Sequence, residues 1–332
     1  MTDLTQAARV FVGTDRSQLV AVKVLEYSIR KHASIPVELT PMVDLALPDP
    51  KDPRQGKRTG FSFARFAVPE LAGRRGQALY LDADMLVFND LALLWRIPFA
   101  GAKVVIQDEI PAHARRPRQR GGPTTRMKQS SVMLLDCSSL DWDAREIIAG
   151  LDGHYTYEDL VYHLCILRPG EIRYAIPFEW NSLEHYEQGT TCLIHYTDME
   201  TQPWVSPENK NGYLWIRCVR EMLDAGVMSM SEIVQEIAFG YFRPSLRLEL
   251  ESADAAGRIT GTQVQRFLEH DRAKGYVKHR DVYEATKARE AAIKRFLADS
   301  GQGPAIRALR KGKARVWSAL RRIARRPAGL GS

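Results

Sequence analysis

Apolar positions along this chain fall into two periods. Short runs at Arg9-Val10-Phe11-Val12-Gly13, 37–43, 77–81, 102–106 and 131–135 are apolar throughout or at alternate positions, which predicts strands. Over 17–31 the apolar residues recur at three- and four-residue steps, which predicts a helix with Ser17 as its N-cap. A second, aromatic-rich helix is expected over 61–71, after a stretch at 48–60 (PDPKDPRQGKRTG) whose composition is that of a loop. Strand and helix in alternation over the first 150 residues predict an α/β layer with a mostly parallel central sheet. From 205 to 298 the pattern turns helical, with candidates at 209–225, 229–241, 261–274 and 281–298.

The 332 residues suffice for one large domain with an appendage, or two modest ones, and 45% hydrophobic against 26% charged residues is ordinary for a soluble globular chain. Residues 1–8 lack the basic-then-apolar layout of a secretory signal, and no run reaches the roughly 18 apolar residues of a membrane span. Cys137, Cys165, Cys192 and Cys218 stand 26 to 28 residues apart, which makes neither a metal clip nor a compact disulfide framework. Reduced packing thiols and a cytoplasmic setting are expected. The formal charge of +7 belongs to the tail. Residues 301–332 hold nine basic residues and no acid, and the preceding 300 carry 38 basic against 40 acidic, a net of −2. The body is therefore not a nucleic-acid-coating surface, and no nucleic-acid partner is expected.

Two familiar phosphate cradles are missing: there is no GxxxxGK[ST] loop, and Gly13 is not part of a GxGxxG turn. A nucleotide bound here would need its phosphates neutralised by other means, and a metal ion is the usual one. The run Ala78-Leu79-Tyr80-Leu81-Asp82-Ala83-Asp84-Met85-Leu86-Val87-Phe88 supplies the candidate. In an open α/β sheet, ligands bind at the carboxyl ends of strands. In extended chain, residues two apart point the same way, so Asp82 and Asp84 could face one cation with the small Ala83 between them. A bare Asp-x-Asp also arises by chance, but two acids framed by apolar residues on both sides are costly unless paired or ligating.

With these residues in view the chain resembles glycosyltransferase family 8, the group of glycogenin and the bacterial lipopolysaccharide galactosyl- and glucosyltransferases. The resemblance runs from about residue 9 to 215. It is carried by Val10-Phe11-Val12-Gly13-Thr14-Asp15, Phe63-Ala64-Arg65-Phe66, Leu79-Tyr80-Leu81-Asp82-Ala83-Asp84, the segment 131–142, Ile176-Pro177-Phe178-Glu179-Trp180-Asn181, and Ile194-His195-Tyr196 followed by Gln202-Pro203-Trp204. It implies a GT-A type single nucleotide-sugar-binding domain, a UDP-sugar donor, a saccharide or lipid-linked acceptor, and retention of anomeric configuration. It also implies Mn²⁺ held by Asp82, Asp84 and His195. An imidazole ligand favours Mn²⁺, with Mg²⁺ as the alternative; the competing reading of His195 is a strand-end histidine satisfied by hydrogen bonds. Carried over from the same motifs, Gly13, Thr14, Asp15, Arg65, Ala83, Asp108, Gln129, Ser131, Asn181 and Gln202 are expected on the donor.

The chain departs from the family at three places. Gln202 stands where the family has Lys, which turns a charged phosphate contact into a neutral one; Arg58, Arg65 or the basic residues between Arg115 and Lys128 could replace the charge. The family's Asn-x-Gly becomes Gln129-Ser130-Ser131, and its Asp-Gln-Asp becomes Tyr157-Glu158-Asp159. Glu158 and Asp159 are the catalytic candidates. Glu158 is either a nucleophile, an electrostatic stabiliser of the transition state, or an exposed acid favoured at a helix start.

Asp108-Glu109 either binds donor-sugar hydroxyls or is a solvated pair. The segment 113–128, with six basic residues, reads as a lid or acceptor-binding loop, or as a solvated loop. In the tail, Ile306, Leu309, Val316, Trp317, Leu320 and Ile323 recur at helical steps among arginines, the pattern of a helix on an anionic membrane surface. Nucleic-acid contact and docking on the acidic body are the alternatives. The expected organisation is a catalytic domain at 1–215, a helical extension at 216–300 and a basic amphipathic tail at 301–332, peripherally attached to the inner face of the membrane. The expected function is hexosyl transfer in lipopolysaccharide or surface polysaccharide synthesis. The alternatives are a sugar nucleotidyltransferase, against which Gly13-Thr14-Asp15-Arg16-Ser17 argues by not being a glycine-rich loop, and a membrane-attached, non-catalytic nucleotide-sugar-binding protein.

Overall fold

The first apolar run forms β1 (Ala8–Gly13), which pairs in parallel with β2 (Val37–Met42) on one side and β3 (Gln77–Asp82) on the other. In the computed structural model, which describes residues 7–107, 110–111 and 129–299, six strands form one sheet in the order β2-β1-β3-β6-β5-β7. Here β5 is Val104–Gln107, β6 Gln129–Asp136 and β7 Ile172–Ile176. Only β6 runs against the rest, antiparallel to both β3 and β5. The mostly parallel α/β sheet expected from the pattern is present.

Alternation along the central strands splits the core by face. Val10, Val12, Leu79, Leu81, Val132 and Leu134 enter one apolar cluster, with Leu25 and Ile29 of α1 (Leu19–His32) and Leu91 and Leu94 of α3 (Leu91–Trp95). Phe11, Tyr80, Met133 and Leu135 enter the other. There they meet Val68 of α2 (Val68–Leu71), Ile147 and Ile148 of α4 (Ala144–Gly150), and Leu160 of α5 (Tyr157–His163). Strands covered on both sides need apolar residues at every position, which is why they read as unbroken runs.

A small second sheet joins β4 (Met85–Val87), β9 (Leu193–His195) and β8 (Ser182–Leu183), in the order β4-β9-β8. After it in the chain come α6 (Gly212–Asp224), α7 (Met230–Phe239), α8 (Leu246–Ser252), α9 (Gly261–Ala273) and α10 (Arg280–Asp299). A third apolar cluster unites α1 (Val20, Val24), Leu86, Ile194, Trp204 and Trp215 with Phe242 and Leu246. Helix α6 runs through residue 215, the expected domain limit, and α7 and α8 beyond it share this cluster with the sheet layer through Ile233, Leu246 and Leu250. Among the described residues no helix is long and apolar enough to cross a membrane.

Three local expectations are corrected. Ser17 does not cap the first helix: α1 is preceded by Gln18, which makes no side-chain cap, and Asp15 caps the 3-10 turn Arg16–Gln18 before it, its carboxylate accepting from the Ser17 amide at 3.0 Å and the Ser17 hydroxyl at 2.6 Å. The helix expected over 61–71 is a 3-10 turn at Ala64–Ala67 followed by α2, because Pro69 lacks the amide that an interior helical position requires. Helix α8 was not foreseen, since Leu246, Leu248 and Leu250 alternate as in a strand; the buried set is Leu246, Glu249 and Leu250, at helical steps.

Glu249 is buried because Arg243 pairs with it; Arg243 also donates from Nη1 to the Ser245 hydroxyl at 2.7 Å and from Nε to the Pro203 carbonyl at 3.2 Å. Burial pushes the Glu249 carboxyl up in pKa, opposed by Arg243. Arg243→Ala leaves that acid uncompensated, so a loss of about 3–5 kcal/mol is expected in denaturant unfolding. The double variant Arg243→Met, Glu249→Leu should recover most of it.

Candidate metal and donor site

Asp82 is the last residue of β3 and Asp84 directly precedes β4. The chain bends at Ala83, which is buried, so the two acids do not continue one extended strand as the sequence suggested; they mark the switch from the large sheet to the small one. The antiparallel pairing of Met85 with His195, and an amide–carbonyl bond from Tyr196 to Asp84 at 2.8 Å, bring the histidine to the same place. Ligand atoms of Asp82, Asp84 and His195 all lie within 4.8 Å of one another. Residues more than 110 positions apart in sequence thus meet through one short ladder.

The donor set fits a divalent cation. His195 Nδ1 lies 3.0 Å from Asn181 Oδ1, and Asn181 Nδ2 donates to the Ser131 hydroxyl at 3.0 Å. That chain assigns the imidazole proton to Nδ1 and leaves the Nε2 lone pair facing Asp84. Nε2 is 2.9 Å from Asp84 Oδ1, yet this buried oxygen receives no hydrogen bond. Two lone pairs so close need a positive charge between them, either a proton or a metal. Burial disfavours the imidazolium, but the Asp84 carboxylate, with Asp82 and Glu184 beyond it, outweighs this and raises the His195 pKa above the ordinary value. Burial also raises the Asp82 pKa, with Asp84 acting the same way against Arg65 and His195.

A layer of residues aims these ligands. Gln202 donates from Nε2 to Asp84 Oδ2 at 2.8 Å and to the Tyr196 carbonyl at 3.0 Å, so its amide is held by the site rather than left for a phosphate. Asn181 and Ser131, expected on the donor, stand behind His195. Asp82 Oδ1 accepts from the Tyr80 hydroxyl at 2.6 Å and from Arg65 Nη2 at 3.3 Å. Arg65 is buried, its guanidinium 4.8 Å from the centre of the Tyr80 ring, with Nη1 on the Ser130 hydroxyl at 2.8 Å. Gly13 faces Tyr80: a Cβ there would come within 2.2 Å of the Tyr80 oxygen. Its lack of a side chain therefore makes room for the hydroxyl that holds Asp82. Tyr80→Phe should weaken Mn²⁺ binding by about 10–100-fold in calorimetric titration with little loss of stability.

A cavity of about 560 Å³ opens at the carboxyl ends of β1 and β2, lined by Asp15, Asp44, Lys57, Arg58, Thr59 and Arg289 among others. Its size suits a nucleoside-scale ligand. Asp15 lines it while capping the turn; Thr14 is buried, its hydroxyl on the Asp15 carbonyl at 3.1 Å. Glu158 is exposed in the first turn of α5, whereas the Asp159 carboxylate closes the capping box of that helix by accepting from the Thr156 hydroxyl at 2.7 Å. The Thr156 bonds hold the Asp159 pKa below the usual carboxylate range. Gln129 opens β6, opposite Gln107 of β5. Asp108, Glu109, the segment 113–128 and the tail 301–332 lie outside the described residues. The sequence reading missed Tyr80 and His279. The latter directly precedes α10, with its Nε2 buried and unpartnered and its backbone in the left-handed region (φ 45°). Asp15 and Asp84 act on its charge, and burial holds its pKa below the ordinary value.

The parallel-rich sheet presents an Asp-x-Asp pair and a distant histidine at its carboxyl edge, and by its family match the chain is an enzyme of the glycosyltransferase class. Residues 17–121 match the model of Glycosyl transferase family 8, a stretch that contains Arg65, Asp82 and Asp84. Protein CDI of Arabidopsis thaliana is 29% identical over 212 residues, covering 59% of this chain and 79% of that protein. Among solved structures, the glycosyltransferase GlyE in Streptococcus pneumoniae TIGR4 aligns over 73% of this chain and 65% of its own, at 16% identity and a TM-score of 0.47. The galactosyltransferase LgtC, solved in complex with donor and acceptor sugar analogs, aligns over 64% of this chain and 94% of its own, at 14% identity and a TM-score of 0.42. The bifunctional glycosyltransferase WbbM aligns over 66% of this chain, at 13% identity and a TM-score of 0.45, and the chain spans only half of it.

Proposed function

We propose that this enzyme transfers a hexose from a UDP-sugar to a saccharide or lipid-linked acceptor in lipopolysaccharide or surface polysaccharide synthesis, with retention of configuration. The observation that carries the reading is the Asp82–Asp84–His195 cluster, in which Asp84 Oδ1 and His195 Nε2 stand 2.9 Å apart. These three side chains would hold Mn²⁺, or Mg²⁺ in its place. Such an ion neutralises a diphosphate and stabilises it as it departs. Asp82 is kept in position by Tyr80 and Arg65, His195 by Asn181, and Asp84 by Gln202. Asp15 offers a carboxylate at the wall of the cavity that takes the nucleoside, with Gly13 and Thr14 directly before it in the chain. In the reaction the anomeric carbon–oxygen bond to the diphosphate breaks, its electron pair leaving on the phosphate oxygen. A bond to an acceptor hydroxyl oxygen forms as that hydroxyl gives up its proton to the departing phosphate oxygen. Glu158 serves as nucleophile or as stabiliser of the positive charge on the sugar, and Asp159 fixes the helix start from which it projects.

The catalytic unit of this proposal is 1–215, braced by the helices to 300, with 301–332 attaching the enzyme to anionic lipid at the cytoplasmic face. A panel of UDP-sugars, each with and without Mn²⁺ and read by thermal shift and donor hydrolysis, tests the reading. One donor should stabilise the protein only when Mn²⁺ is present. Equal stabilisation by every donor without metal would refute it.

A further inference from the structure

Helix α10 lies against the loop at 53–58 and contributes Asp281, Val282, Ala285 and Arg289 to the wall of the cavity beside Asp15. Arg289 donates from Nη1 to the Lys57 carbonyl at 2.8 Å, and its stem runs so close to Gly56 that a Cβ there would sit 3.4 Å from Arg289 Cδ. Its Nε is buried without a partner. Arg58, lining the same cavity, donates to the carbonyls of Gly56 at 2.6 Å and Arg54 at 3.1 Å, with its plane 4.3 Å from the centre of the Tyr157 ring. Among the described residues neither guanidinium is within ion-pair distance of a carboxylate, although Asp15, Asp44, Asp49 and Asp281 line the cavity; Asp49 pairs with Lys57 at 3.3 Å and Asp15 caps its turn. Burial and the like charge of Arg58 hold the Arg289 pKa below the ordinary arginine value.

Two arginines anchored on carbonyls and an aromatic face, neither of them ion-paired among the described residues, can receive an anion. The guanidinium fork matches phosphate oxygens in pairs. We propose that Arg58 and Arg289 form a phosphate-binding site, so that helix α10, the last described element of the chain, completes the pocket beside Asp15. This rests on the reading of the cavity as the donor site. The phosphate belongs either to the diphosphate of the donor or to a phosphorylated saccharide acceptor, and the two sources share one chemistry. The plain alternative makes both arginines struts, Arg289 tying α10 to the loop through Lys57 and Arg58 bracing the loop through the Gly56 and Arg54 carbonyls; it predicts no loss of anion binding in folded variants.

The full chain and its Arg58→Ala, Arg289→Ala and Arg289→Lys variants are titrated calorimetrically with UDP in the presence of Mn²⁺, and with inorganic phosphate on top of saturating UDP and Mn²⁺. Each alanine variant should weaken one of these ligands about tenfold or more, and lysine should restore part of the loss. Weakened UDP assigns the phosphate to the donor; weakened inorganic phosphate with unchanged UDP assigns it to the acceptor. Arg58 makes no bond to α10, so Arg58→Ala keeps the experiment decisive if Arg289→Ala loosens the helix. Both ligands bound within twofold of wild type by folded Arg58→Ala and Arg289→Ala proteins would overturn the proposal. Wild-type protein that ignores UDP but binds phosphate through Arg289 would instead overturn the donor-site reading and leave the arginine site standing.

Discussion

Asp84→Ala abolishes Mn²⁺-dependent sugar transfer and the Mn²⁺-induced rise in melting temperature, while the metal-free protein melts within a few degrees of wild type. The expectation combines two properties of one side chain. Asp84 places one buried oxygen 2.9 Å from His195 Nε2, and its other oxygen is fixed by Gln202. With His195 neutral, that oxygen faces a second lone pair, and a buried acceptor without a donor costs roughly 1–3 kcal/mol. Above the titration of His195, deleting it therefore costs the fold little. It costs the reaction much more, since charge stabilisation by a bound cation contributes several kcal/mol, about a thousandfold in rate. Asp84→Asn sharpens the test: it keeps the shape and can still accept from Gln202, but lacks the charge. Transfer by Asp84→Asn within tenfold of wild type would remove the cation from the mechanism. Steady-state kcat with the donor found in the UDP-sugar panel is the measurement.

Much of this site can be read from the sequence because its primary members sit in strong local patterns. Four apolar residues before Asp82 and four after Asp84 reveal a buried pair of acids, and the Ile194-His195-Tyr196 run places the histidine on a strand. The supporting layer is not legible in the same way. Tyr80 reads as one more apolar residue of β3, and only the position of Gly13 on the neighbouring strand shows that its hydroxyl is directed at Asp82. Gln202 was expected to touch a phosphate; the fold turns it back onto Asp84, a contact across 118 positions that no local pattern encodes. The same holds for His279 and Arg289, which look like ordinary members of a polar helical stretch until α10 docks beside Asp15 and Lys57. Sequence period reports which face of an element is buried, and says nothing of which elements meet.

That difference also explains why the site sits where it does. A single continuous strand through 82–84 would keep both acids within one sheet, far from any histidine in the small sheet. The bend at Ala83 hands the chain from one sheet to the other, so each acid is held by different partners: Asp82 by Tyr80 and Arg65 of the large layer, Asp84 by Gln202 and His195 of the small one. A cation bound between them would add a second side-chain tie to the one that Asn181 already makes from His195 to Ser131 of the large sheet. Ligand-dependent stabilisation is then expected to be large relative to the number of ligands.

Mn²⁺ affinity falls as the medium is acidified through neutrality, about tenfold per pH unit once His195 is protonated. The sign follows from the geometry. Asn181 holds the proton of the neutral ring on Nδ1, so Nε2 is the ligating atom, and it is also the atom that a second proton would occupy. In the metal-free protein Asp84 stabilises that second proton and raises the His195 pKa above 6.5, against the opposing effect of burial. Metal and proton therefore compete for one lone pair. Because the pKa is raised, the competition begins above pH 6.5 and not below it. Calorimetric titration in buffers of different ionisation enthalpy should record the release of about one proton per Mn²⁺ at pH 6, falling towards zero by pH 9. Asn181→Ala, which frees the ring to adopt the other tautomer, should weaken the metal at every pH by about 10–100-fold. Affinity that is constant from pH 6 to 9, with no proton released, would exclude His195 as a ligand and leave the two aspartates alone at the sheet edge.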